Sequence, residues 1–150
     1  MGTNDLLENL KLQRDNLEKF QAILQEKQRA LVNFNYELLE QSTRKEERML
    51  GSIQQTERIR LSIIKGLNAE FSIVDNPVKI INFVNSAKGR INGEYLKELI
   101  FQEKAIKELL PEIGKISQQN KYLIETSKAF IRETVNSLMN AKRSILDRRI

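Results

Sequence analysis

The 150-residue sequence contains no cysteine, no histidine and no tryptophan. Without cysteine there is no disulfide, no zinc ribbon and no thiol nucleophile. Without histidine the commonest general base, the commonest metal ligand and every Ser-His-Asp arrangement are gone. Two prolines and six glycines are too few for an all-β chain, which needs turn residues about every ten positions. No stretch approaches the ~18 apolar residues of a membrane-crossing helix. Residues 1–12 contain acidic side chains and no long apolar run, so they do not read as a signal peptide. The expectation is one soluble cytoplasmic domain.

What is present is 40% apolar and 30% charged residues, rich in Leu, Ile, Glu, Lys and Gln, the mixture of long helices. The net charge of +5, from 25 basic and 20 acidic residues, reads as dispersed surface charge plus a basic, fraying end. Such a balance permits a nucleic acid or an anionic membrane as partner without requiring either.

The strongest pattern is a seven-residue recurrence: Leu10, Leu17, Leu24, Leu31 and Leu38. Leu6, Phe20 and Phe34 fall on intervening positions, and Gln13, Lys27 and Gln41 occupy the others. This spacing places the leucines on one stripe of a helix that packs along a neighbour. A first helix is expected over residues 4–32, capped by Thr3 or Asn4 with Asp5 in its first turn. The run Asn33-Phe34-Asn35-Tyr36 supports a brief turn.

A second helix is expected over 37–69, with Leu38, Leu39, Met49, Leu50, Ile53, Ile59, Ile63, Ile64 and Leu67 as apolar positions. Its charge run, residues 43–48, reads as a solvated face with i,i+4 pairs. After a linker, Asn76-Pro77 reads as a cap followed by proline at the first helical position, opening a short helix over 77–87 that buries Val78, Ile81 and Val84. Gly89 and Gly93 bracket a loop, and Asn92 caps a last helix over 93–142. Its stripe is Leu96, Leu99, Ile106, Leu110 and Ile113, and Pro111 is expected to kink or split it. The basic residues 142–150 read as a fraying end. The fold class is all-α: an elongated antiparallel helical bundle, a coiled-coil hairpin of long helices with one short helix.

Catalytic chemistry finds no foothold. Gly114-Lys115-Ile116-Ser117 lacks both the Ser or Thr after the lysine and the upstream glycine of a phosphate loop, with Ile116 and Leu109 in those places. A di-iron bundle needs Glu-x-x-His. Glu103 falls at the margin of an apolar stripe, where a charge reaches out to water. The expectation is no enzyme, no catalytic residue, no metal and no cofactor. The basic end has no aromatic platform for single strands, so nucleic acid is not an expected partner.

The apolar face continues beyond Pro111 through Ile116, Leu123, Ile124, Phe130, Ile131, Val135 and Leu138, interrupted by Asn120 and Ser127. Either these polar residues fix register in a buried seam, or they are gaps in a face that stays open for a partner helix.

Two segments carry a family resemblance. The first is the string from Ile23 to Leu50, with Glu26-Lys27, Ala30-Leu31, the polar break at residues 33–35, the restart Leu38-Leu39 and the pair Lys45-Glu46. The second, residues 113–138, has Asn120 followed by Leu123-Ile124, with Ser117 where a first asparagine is expected. This layout resembles the FlgN-type flagellar export chaperones. The polar break usually contains glycine in that family, and here holds Asn33 and Asn35. Many members carry a Tyr-Gly motif tied to export-gate docking; residues 1–150 contain no such pair.

The resemblance implies a non-enzymatic cytoplasmic chaperone. Its clients would be hook-associated (hook–filament junction) proteins, bound through their C-terminal amphipathic helix, with the flagellar export apparatus as a further partner. The partner-binding residues it and the face together point to are Asn120, Leu123, Ile124, Ser127, Phe130, Ile131, Val135 and Leu138. No stable membrane insertion is expected, and a homo-oligomer stays open. The alternatives are a generic helical-bundle adaptor or a coiled-coil homodimer sealed by the heptad leucines, and a basic nucleic-acid binder.

Overall fold

The computed structural model describes residues 2–71 and 80–149. It holds four helices: α1 (Thr3–Val32), α2 (Tyr36–Glu70), α3 (Ile80–Ala87) and α4 (Gly93–Arg149). The expected cap at Asn76, Pro77 and the burial of Val78 lie outside the described residues.

α1 and α2 form an antiparallel hairpin, tied near its middle by Asn16 to Thr56 and near its turn by Lys27 to Glu46. α4 then runs parallel to α1. Arg14 donates to Gln102, Gln21 to Glu112 and Gln28 to Gln119, so the two helices advance together. α1 is the middle helix: it packs on both α2 and α4, whose backbones do not approach each other closely.

The heptad leucines explain that central position. Leu10, Leu17, Leu24 and Leu31 are all buried inside the chain. The apolar core is densest at the base, where Leu6, Leu10, Ile63, Ile64 and Leu67 meet Phe83 and Val84 of α3 and Leu96 and Leu99 of α4. It thins upward to Leu17, Leu24 and Ile113. Phe71 packs edge-on against Phe83, ring centroids 5.8 Å apart. In α3 the buried residues are Ile80, Phe83, Val84 and Ala87. Ile81, expected inside, is exposed; one step round the helix from Ile80 it points away from the core. Leu110 is likewise exposed, as are Leu50 and Ile59.

Helix ends follow local chemistry. α1 begins one residue earlier than expected: Gly2 is the cap, and Asp5 accepts its backbone N–H at 2.7 Å. Asn92 caps α4 as expected, its Oδ1 accepting from Glu94 N at 2.9 Å. α4 is not split at Pro111; the helix continues through it to Arg149. The proline removes one bond, which an otherwise intact ladder of 57 residues absorbs. Residues 142–149 continue α4 as helix, beyond the expected end at 142.

The turn between α1 and α2 is a helix stop built on the wrong residue type. Asn35 N donates to Ala30 O at 2.9 Å and Phe34 N to Leu31 O at 3.4 Å, the two bonds that close a helix through a left-handed residue. That residue is Phe34, at φ 52°. Glycine usually fills such a position because a Cβ costs about 1 kcal/mol there. Asn35 then caps α2, accepting from Leu38 N at 3.1 Å.

Candidate functional site

On α4, Leu99, Gln102, Ile106, Ile113 and Asn120 recur at steps that keep one face of the helix turned to α1. The same phase runs on through Ile124, Ile131, Leu138 and Ile145. The lower part is buried. The upper part is not, because α1 stops at Val32 while α4 continues. Ser127 is the last partly buried residue, and every side chain described from Lys128 to Arg148 is exposed. At 1.5 Å per residue this overhang is about 30 Å of unsupported helix.

The expected partner-binding residues therefore divide. Asn120 is buried, and its Nδ2 donates to Leu24 O at 3.0 Å. It fastens α4 to α1 at the top of the shared seam, although its Oδ1 has no hydrogen-bond partner. Leu123 is partly buried in a shallow hollow with Val32 and Tyr122. Ile124 and Ser127, also partly buried, sit in a cleft of about 430 Å³ between α4 and the hairpin turn. Phe130 and Ile131 form the outer lip of that cleft, facing Leu31, Phe34, Tyr36 and Leu39. Phe130 is 65% exposed and Leu138 66%, with Ile131 and Val135 also open to water.

Further apolar residues belong to this open face. Met139, Ile145 and Leu146 are half exposed on the overhang, and Phe34 and Tyr36 are exposed at the turn. Ile145 and Leu146 follow Leu138 at helical spacing, a signal that the basic charge of residues 142–150 obscured. Phe34 gave a weaker signal: an aromatic residue inside a two-asparagine turn. The seam also contains a polar layer that spacing could have flagged. Asn9 and Asn16, seven residues apart, both reach Thr56, at its carbonyl (3.1 Å) and its hydroxyl (3.3 Å).

A second cleft, about 550 Å³, lies lower, between Leu17, Ile53, Arg60 and Ile106. Its charges are satisfied internally. The Arg60 guanidinium makes two bonds to Glu57, at 2.8 and 2.6 Å. That pairing raises the Arg60 pKa above its ordinary value against the opposing effect of burial. Glu103, at the stripe margin, pairs with Lys107 at 2.9 Å. Gly114-Lys115 lies inside α4, so it forms no loop that could cradle a phosphate. Among the described residues no helix is long and apolar enough to cross a membrane, and no group of three or more carboxylate, His or Cys side chains could hold a metal ion.

The geometry is thus a helical hairpin that carries a third, much longer helix, whose apolar face leaves the bundle still unsatisfied. No curated protein and no solved structure matches the chain. A family model described as FlgN protein matches residues 1–145. The chain therefore belongs to the FlgN family, a family of flagellar export chaperones.

Proposed function

We propose that this chain binds hook-associated proteins through their C-terminal amphipathic helix and holds that helix on the open face of α4. It prevents premature assembly of the client in the cytoplasm and delivers it to the flagellar export apparatus. The observation that carries the reading is the overhang: Phe130, Ile131, Val135 and Leu138 are exposed on a helix whose lower half uses the same face as core. A face of this kind suits an amphipathic helix. Burying apolar surface is worth about 25 cal/mol per Å², and the ordering of partner side chains offsets part of it, so a few anchors suffice for reversible binding. The cleft beside Ile124 and Ser127 offers the first of those anchors a partly enclosed seat.

The burial of Leu10, Leu17, Leu24 and Leu31 within the chain favours this reading over a coiled-coil homodimer sealed by those leucines. The test is co-expression with the C-terminal segment of a hook-associated protein, followed by size-exclusion chromatography. Co-elution is expected for the wild type and loss of it for Phe130→Asp or Ile131→Asp, with helicity by circular dichroism retained. Co-elution that survives both substitutions removes the open face from the mechanism.

A further inference from the structure

The overhang concentrates charge as well as apolar surface. Residues 128–149 hold six basic residues (Lys128, Arg132, Lys142, Arg143, Arg148, Arg149) and two acidic ones (Glu133, Asp147), a net +4 of the chain's +5. The excess charge therefore sits in the overhang, from Lys128 on; residues 1–127 are balanced to within one charge. Nor is it placed at random around the helix. Lys128 and Arg132 flank Ile131 and Val135 in one surface hollow. Arg143 follows Arg132 three turns on, along the same edge, and Lys142 falls within the apolar stripe itself. Glu133 and Asp147 fall on the opposite side of the helix.

Resting on the reading above, we infer that the occupant of the overhang is an acidic amphipathic helix, seated in line with α1 so that one end abuts the hairpin turn at Phe34 and Tyr36. Three observations support this. First, the open stripe is the direct continuation of the α1–α4 seam, so a helix placed there extends the line that α1 leaves at Val32. Second, the cationic edge favours carboxylates on the occupant. It also disfavours a second copy, which would set +4 against +4 at close range. Third, the turn keeps Phe34 in a left-handed conformation that glycine would adopt without strain. There it presents a ring that is 66% exposed, at the mouth of the cleft formed with Phe130 and Ile131.

The experiment uses the full chain and two designed helical peptides of about 20 residues, the length the overhang can support. Both carry one leucine stripe, flanked by glutamates in one peptide and by lysines in the other. Fluorescence anisotropy is expected to show at least tenfold tighter binding of the glutamate peptide, and the preference is expected to shrink as salt rises. Arg132→Glu combined with Arg143→Glu should reverse the preference. Phe34→Gly should weaken the glutamate peptide several-fold without lowering the melting temperature. Equal binding of the two peptides overturns the charge assignment. An unchanged affinity in Phe34→Gly overturns the seat at the turn. Tighter binding to vesicles of anionic lipid than to the glutamate peptide makes a membrane surface the occupant and overturns the inference. A hook-associated C-terminal segment, measured alongside, separates the two readings. If it binds with no dependence on Arg132 and Arg143, the proposed function stands and this inference falls. If it fails to bind while the glutamate peptide behaves as expected, the inference stands and the choice of client falls.

Discussion

Two halves of α4 carry the same pattern and meet different fates. Leu96, Leu99 and Ile113 in the lower half are buried against α1 and the base of the bundle, while Ile131, Val135 and Leu138 in the upper half keep the same phase and face water. Periodicity therefore says which face of a helix is apolar, but not whether the chain itself covers it. The length of the neighbour decides that. α1 spans 30 residues and α4 57, so about two-fifths of the longer helix, from Lys128 on, has nothing to lean on. The two halves also differ in polar fastening: Gln102, Glu112, Gln119 and Asn120 all bond to α1, and the overhang has no such link among the described residues.

The widest separation between the halves is expected in amide hydrogen exchange. An isolated helix of about 20 residues is marginal in water, so amides of residues 128–149 should exchange with little protection. Amides near Leu99 and Ile106 should approach the protection set by global unfolding. Adding a hook-associated C-terminal segment should raise protection in the overhang selectively. Uniform protection along α4 in the isolated chain would mean that the overhang is supported by something other than its own hydrogen bonds, and the comparison would break.

Truncation to alanine gives the next largest contrast. Leu99 is fully buried, and Leu99→Ala should cost about 2–5 kcal/mol of unfolding free energy, through lost transfer energy and a residual cavity. Leu138→Ala, on the exposed half, should stay within about 0.5 kcal/mol. Urea denaturation followed by circular dichroism measures both. A Leu138→Ala cost close to that of Leu99→Ala would place Leu138 in a core, whether within the chain or between copies.

Much of this is legible in the sequence. The heptad leucines of α1, the break at residues 33–35 and the Asn92 cap depend on local spacing and side-chain chemistry, and each stands where spacing put it. Pro111, expected to kink or split α4, does not split it, and the helix runs on to Arg149. In residues 142–149 the charge masks Ile145 and Leu146, which continue the stripe along a helix that runs to Arg149. The pairing of α4 with α1 in parallel, and the distance by which α4 outruns it, depend on which helices become neighbours; no local signal encodes that.

Asn120 is the last fully buried residue of α4 below the overhang and gives the smallest effect. Its two sequence-level readings, a register device or a gap in a binding face, now differ in a measurable way. The buried amide makes one bond, to Leu24 O, and leaves its Oδ1 unpaired. Desolvating that oxygen costs about as much as the single bond returns, so Asn120→Leu should change stability by less than about 1 kcal/mol, in either direction. Specificity is what the substitution should damage, since an apolar seam tolerates sliding by a turn that a fixed amide does not. The predicted consequence is a retained or slightly raised melting temperature with broadened amide resonances from Leu24 to Asn120 in heteronuclear NMR spectra. Sharp, single resonances together with weakened client binding would instead assign Asn120 to the partner face. The boundary between packed and open helix would then lie at least one turn lower on α4.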